Sequence, residues 1–340
     1  MISILIFVFL LVLFLPLTVN IVENNLEVFL FFMGLLTIII SGGFTEALFA
    51  KAAQDPIKIA VAVFIAGLLF RWLQAPLERV INGCRRLIPH RLFIAFSVLF
   101  LGLISSVITA IIAALVMVII VTTLKMDRRS EVRFVVLSCF SIGLGAALTP
   151  IGEPLATLVV GKLHKHFFFL MQLIGPEVFV ALLMFSILAA LLVKPPTFQM
   201  QITKRSNKRE GYEDIFVRAL KIYFFVMGLE FLGEGFEPLI NTFLVNLNPA
   251  LLYWINMISA VLDNATLSAA EVSRTMGPIT LKAILLGLLI SGGMLIPGNI
   301  PNIISAGKLK ITSLEWAKFG VPLGLIFMMI FYLSMFKIIL

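Results

Sequence analysis

Apolar residues run along this chain in ten long blocks, at about 2–19, 27–50, 56–72, 92–124, 133–163, 167–193, 214–233, 249–271, 278–309 and 315–340. Short polar breaks separate them. A helix rises 1.5 Å per residue, so blocks of this length match a hydrocarbon core about 30 Å thick. The pattern predicts an all-α polytopic membrane protein. Two blocks share an internal signature: SIGLGAALTPIGEPLATLVVGKL at 141–163 and LISGGMLIPGNIPNIISAGKL at 289–309. Pro150 aligns with Pro297 and Pro154 with Pro301, and Gly161-Lys162-Leu163 aligns with Gly307-Lys308-Leu309 after one gap. Upstream, Ile104–Val116 aligns with Ile258–Ala270. A duplicated apolar unit broken by Gly and Pro at matching places is the mark of a secondary transporter with its site between the repeats.

Composition narrows this further. Hydrophobic residues are 61% and charged residues 13%, and mean hydropathy is +1.10. A soluble domain of this length does not have that balance. The formal net charge of +8 does not point to nucleic acid, because Lys and Arg sit in short loops between apolar blocks. Three such loops, Arg71–Arg91, Lys125–Arg133 and Lys194–Lys221, are expected in the cytoplasm by the positive-inside rule. The first block lacks a basic start and a small-residue cleavage site, so it is expected to be a retained span. Cys84 and Cys139 suggest no disulfide framework.

Placing all three basic loops inside constrains the topology. Only about 32 residues separate Arg91 from Lys125, short for two full spans and a turn. Residues 92–124 are therefore expected to form a re-entrant hairpin with its tip at Ser105–Thr109. The block at 133–163 is expected to be a helix broken at Thr149–Pro154, since proline lacks an amide donor and clashes with the preceding turn. The second half repeats this in the opposite direction, with a hairpin at 249–272, tip Asp263-Asn264-Ala265-Thr266, and a broken helix at 278–309. Residues 1–55 are then N-terminal spans, 56–193 the first repeat, 194–213 a cytoplasmic linker and 214–340 the second repeat.

Ionisable groups inside a bilayer are costly, so each is a functional candidate. Glu153 lies in the first break and Asp263 at the second tip. Both are expected near mid-membrane as ligands for Na⁺ or a similar hard cation. Desolvation and a nearby cation push a carboxylate's affinity for protons in opposite directions. One site can therefore exchange H⁺ for a metal cation. The uncharged candidates are Ser105, Ser106, Thr109, Thr149, Asn264, Thr266, Ser291, Asn299, Asn302 and Ser305. Glu153 and Asp263 also fit as helix caps, and the hydroxyls as partners of their own helix backbone. No P-loop, HExxH, CxxC or GxSxG constellation is present, so no enzyme and no cofactor is expected.

The segments GEPL (Gly152–Leu155), VLDNATLSAA (Val261–Ala270) and IPGNIPNIISAGKLKI (Ile296–Ile311) resemble the ion transporter superfamily. They are most similar to its uncharacterised predicted-cation-transporter branch and, more distantly, to NhaD-type Na⁺/H⁺ antiporters. The resemblance spans about Phe64 to the C-terminus. It implies inverted repeats, a place in the cell membrane, and Na⁺ or proton coupling with Asp263, Asn264 and Glu153 near the site. It also implies a homodimer, as members are often dimers. The Ser-Asn-Thr tips of the superfamily's divalent-anion symporters are missing, and no Lys or Arg falls in the binding zone. The first reading is thus a cation/H⁺ antiporter working by alternating access. The second is a Na⁺- or H⁺-coupled symporter of an organic or inorganic anion, and the third an intramembrane enzyme or assembly subunit. The partners expected are a small cation, a proton and the lipid bilayer.

Overall fold

A computed structural model describes the chain except residues 20, 23–24, 196–210, 244–247, 258–263, 273–275 and 337–340, and some further side chains within helices. The described residues form fifteen α-helices and no strand. They are α1 (Ile2–Thr18), α2 (Leu26–Ser41), α3 (Glu46–Leu87), α4 (His90–Ile108), α5 (Ala110–Leu124), α6 (Arg128–Ala146), α7 (Pro154–Leu163) and α8 (Phe169–Leu192). After the linker come α9 (Tyr212–Gly235), α10 (Glu237–Phe243), α11 (Pro249–Ile255), α12 (Asn264–Glu271), α13 (Pro278–Gly292), α14 (Ile300–Leu309) and α15 (Ser313–Met335).

Three of these, α4, α8 and α15, are long and apolar enough to cross a membrane. Their outward faces carry large bare apolar side chains, such as Phe96, Leu191 and Ile326. Water would not tolerate so much exposed apolar surface on a folded chain, and lipid does. The chain is a helical membrane protein.

The helix boundaries follow local chemistry. Gly42 ends α2 in the left-handed conformation, φ 71°. Thr45 caps α3 by accepting a hydrogen bond from the Leu48 amide. Helix α3 then runs 42 residues through Pro56 and Pro76, about 63 Å at 1.5 Å per residue. This corrects the expected division: one helix joins the end of the block at 27–50, the block at 56–72 and most of the basic stretch Arg71–Arg91. Each proline loses one amide donor, yet the helix continues through both. The stretch Arg71–Arg91 is thus mostly helical.

Contacts divide the helices into groups. Helix α9 packs against α2 and α3. Glycines bring the α2 and α9 backbones together: a Cβ on Gly228 would lie 2.6 Å from the Phe31 Cα. Where hydrocarbon surrounds the helices, small residues permit such close contact and dispersion holds it. Helices α4, α6 and α8 form one mutual cluster, and α11, α13 and α15 form another. Between them, α14 packs on α5 and α12 packs on α7. Helices α14 and α12 of the second half therefore rest on α5 and α7 of the first.

Candidate functional site

Two chain breaks define the candidate site. Helix α6 ends at Ala146 and α7 starts at Pro154; α13 ends at Gly292 and α14 starts at Ile300. Both breaks span seven residues, and the helices after them are each 10 residues long. The preceding residues, Glu153 and Asn299, have φ −153° ψ 145° and φ −155° ψ 142°. The closing residues, His164 and Lys310, are left-handed at φ 49° and 51°. The same carbonyls accept in both: Lys165 N bonds Val160 O, and Ile311 N bonds Ala306 O. Leu148 N bonds Gly145 O, and Met294 N bonds Ser291 O.

All these pairs differ by a constant 146 positions. The correspondence is therefore ungapped: Gly152 pairs with Gly298 and Glu153 with Asn299. The sequence alignment, guided by the prolines, had placed Pro154 with Pro301; in space Pro154 corresponds to Ile300. Proline is tolerated in the first turn of a helix, where amides have no carbonyl partner anyway, so its position can slip by one. The Gly-acid/amide pair cannot slip, because it sets the direction of the chain into the helix. A Cβ on Gly152 would collide with the Ala146 backbone.

The expected site residues separate into three groups. In the first, hydroxyls bond to the backbone. Ser105 Oγ donates to Gly102 O at 2.7 Å and lies 3.0 Å from Ile142 O. Ser106 Oγ donates to Leu103 O at 2.7 Å, and Thr149 Oγ1 donates to Ser106 O. Ser291 Oγ donates to Gly287 O at 2.5 Å and lies 2.7 Å from Asn256 O. Ser305 Oγ donates to Pro301 O at 2.6 Å and lies 3.5 Å from Cys139 Sγ. Thr109 sits alone between α4 and α5 at φ 75°, its hydroxyl accepting from Ile112 N at 3.5 Å. The helix persists through Ser105 and Ser106, so the turn is narrower than the expected Ser105–Thr109 tip. The Ala110 amide there donates to Gly152 O at 3.0 Å, tying this turn to the first break.

The second group gathers around the breaks. Glu153 is buried and does not cap α7 with its side chain. Asn299 lies against α6, where a Cβ on Gly143 would be 2.7 Å from its Nδ2. Asn302 Nδ2 donates at 2.9 Å to both Gly292 O and Leu295 O, the loose carbonyls left where α13 stops. Asn264 is buried against Gly292, whose Cβ would lie 2.6 Å from its Nδ2 and 2.7 Å from its Oδ1. Among the described residues, neither polar atom of Asn264 nor Asn302 Oδ1 has a hydrogen-bond partner. Gly292 thus brings Asn264 and Asn302 together at the second break.

The third group lies outside the described residues. It comprises Asp263 and the side chain of Thr266. Among the described residues, no three His, Cys, Asp or Glu side chains converge as a metal site.

Several polar groups in the structure escaped the sequence reading. Glu131 is buried beside Arg128 at 2.8 Å. Arg128 also grips Glu315 through two bonds, at 2.8 and 2.7 Å, and reaches the Leu309 and Lys310 carbonyls at the end of α14. Lys282 pairs with Glu177 at 2.6 Å, joining α13 to α8. Asn256 and Glu271 are both buried. Glu271 closes an apolar block, where a carboxylate reads as interfacial, and Asn256 is masked by apolar neighbours. A count of polar residues inside each block would have found both.

The architecture is that of an all-α membrane protein with two matching helix breaks. The chain belongs to the family described as protein of unknown function (DUF1646), whose family model matches residues 2–338. No curated protein matches the chain.

Proposed function

We propose that this protein is a secondary active transporter, a cation/H⁺ antiporter for Na⁺ working by alternating access. Its two inverted-topology repeats would each supply a re-entrant hairpin and a broken helix. Asp263 and Glu153 would bind the exchanged charges, assisted by Asn264, Asn299 and Asn302. The hydroxyls of Ser105, Ser106, Thr149 and Ser305 would hold backbone geometry rather than ligate.

The observation that carries this reading is the constant 146-residue correspondence of the two breaks, together with the exchange of short helices, α5 on α14 and α12 on α7. Broken helices with mutual packing place unpaired backbone groups and buried amides in one zone. Oxygen atoms from amides, carbonyls and carboxylates suit a hard cation. Of the corresponding residues at the two breaks, Glu153 is titratable and Asn299 is not.

The test uses the full chain in liposomes carrying a pH gradient and a pH-sensitive dye, with Na⁺, Li⁺, K⁺ or Ca²⁺ added in turn. Collapse of the gradient by one cation, lost in Asp263→Asn and Glu153→Gln, is the expected result. Folded protein that responds to no cation overturns antiport and directs the next assay to Na⁺-dependent uptake of dicarboxylates and oxyanions.

A further inference from the structure

A second focus of buried oxygen lies on α13, about five residues before Gly292. Here Asn256 sits at the end of α11 and Glu271 at the end of α12. Asn256 Nδ2 lies 3.5 Å from Ile284 O, and a Cβ on Gly287 would be 3.2 Å from the Asn256 Cβ. The Glu271 carboxyl stands beside the Asn256 amide. Glu271 is 9% exposed and Asn256 1%. Among the described residues, Glu271 Oε1 and Oε2 and Asn256 Oδ1 have no hydrogen-bond partner of ordinary geometry.

Three buried oxygens thus share one neighbouring donor group, the Asn256 amide, whose nitrogen also faces Ile284 O. A carboxylate so placed is too costly to leave bare, so it must carry a proton or hold a cation. Among the described residues, no cationic side chain pairs with Glu271. Helix α12 packs on α7, α13 and α9. Helix α7 carries only Lys162, in its last turn, and Glu153 precedes it. On α13 the one charge is Lys282, which is bound to Glu177 at 2.6 Å. Helix α9 carries Glu213, Asp214, Arg218, Lys221, Glu230 and Glu234, and Lys221 pairs with Glu27 at 3.7 Å. Asp263 and Arg274 lie outside the described residues.

We propose that Glu271 and Asn256 form a second ion site, distinct from the cluster at Gly292. Its ligand is a proton on Glu271, replaced on ionisation by a hard monovalent cation held between the carboxylate and Asn256 Oδ1. A five-residue separation on α13 puts it about 7.5 Å along the helix from Gly292, on the side of the α13 N-terminus. It is a relay between the break and that end of the protein. The relay role rests on the exchange reading above; occupancy of the site does not.

Carbodiimide modification with mass spectrometry tests the unaltered full chain, because dicyclohexylcarbodiimide couples only to protonated carboxyls in apolar surroundings. The peptide carrying Glu271 is expected to be labelled, more at low pH, with at least fivefold protection by one of Na⁺, Li⁺ or K⁺. No labelling, as for a carboxylate paired with Arg274, overturns the proposal, as does labelling that no cation alters. In the liposome assay Glu271→Gln is expected to lose exchange, and Glu271→Asp to retain it with a displaced pH profile. Exchange by Glu271→Gln with the wild-type rate and profile overturns the relay while leaving antiport intact. A wild-type protein silent to every cation removes antiport and the relay, and the labelling then decides occupancy alone.

Discussion

Replacing Asn302 with leucine isolates what the second break needs in order to hold its shape. The side chain is fully buried. Its Nδ2 gives 2.9 Å hydrogen bonds to Gly292 O and Leu295 O. Leucine has the same branched shape and more bulk, so no cavity opens, but both carbonyls lose their donor. A buried acceptor left unpaired costs about 1–3 kcal/mol, so two cost roughly 2–6 kcal/mol. Trp316 is a built-in reporter, since its indole Nε1 donates to Gly293 O at 3.0 Å, next to one of the affected carbonyls. Thermal unfolding in detergent, followed by tryptophan fluorescence, should show Tm falling by roughly 3–8 °C, with exchange lost as well. A Tm within a degree of wild type would refute the reasoning, because it would mean water already satisfies those carbonyls.

Other predictions test packing, topology and capping. Gly145→Ala should destabilise by about 1–3 kcal/mol, because a methyl there overlaps the Gly102 carbonyl and forces α4 from α6; Gly161→Ala, which meets open space, should not lower Tm. A membrane-impermeant maleimide should label exposed Cys84 from the cytoplasmic face only and leave buried Cys139 unmodified; labelling of Cys84 from outside would invert the topology. Asp127 caps α6 through the Ser130 amide at 3.1 Å. Burial acts to raise its pKa, but hydrogen bonds led by Ser130 outweigh it and hold the carboxyl below its ordinary 3.8. A depressed folded pKa means the cap stabilises above the unfolded value and fades as pH falls through the folded one. Asp127→Ala should therefore cost about 1 kcal/mol near pH 7, and its unfolding should converge with wild type as the pH drops below 3.8.

The sequence by itself determined the helical membrane class, the two proline-marked breaks and most helix ends. These are local or compositional properties. Lipid demands apolar runs with internally satisfied backbone, and proline removes a donor wherever it stands. Glu153, Asn264, Asn299 and Asn302 stood out because polar groups are rare inside apolar blocks. The tertiary structure alone decided which of them meet. Only packing shows that Ser106 and Ser305 are consumed by their own helices, that Asn302 serves the carbonyls of α13, and that Asn264 abuts Gly292. The same holds for the register of the breaks. Prolines suggested one alignment, and cap geometry imposed another, because a helix start is fixed by the backbone angles of the residue before it and proline fits more than one place in the first turn. The continuous α3 and the buried Glu271 likewise depended on neighbours distant in sequence, whose contacts set the cost of a proline or a carboxylate and are not written in the local pattern.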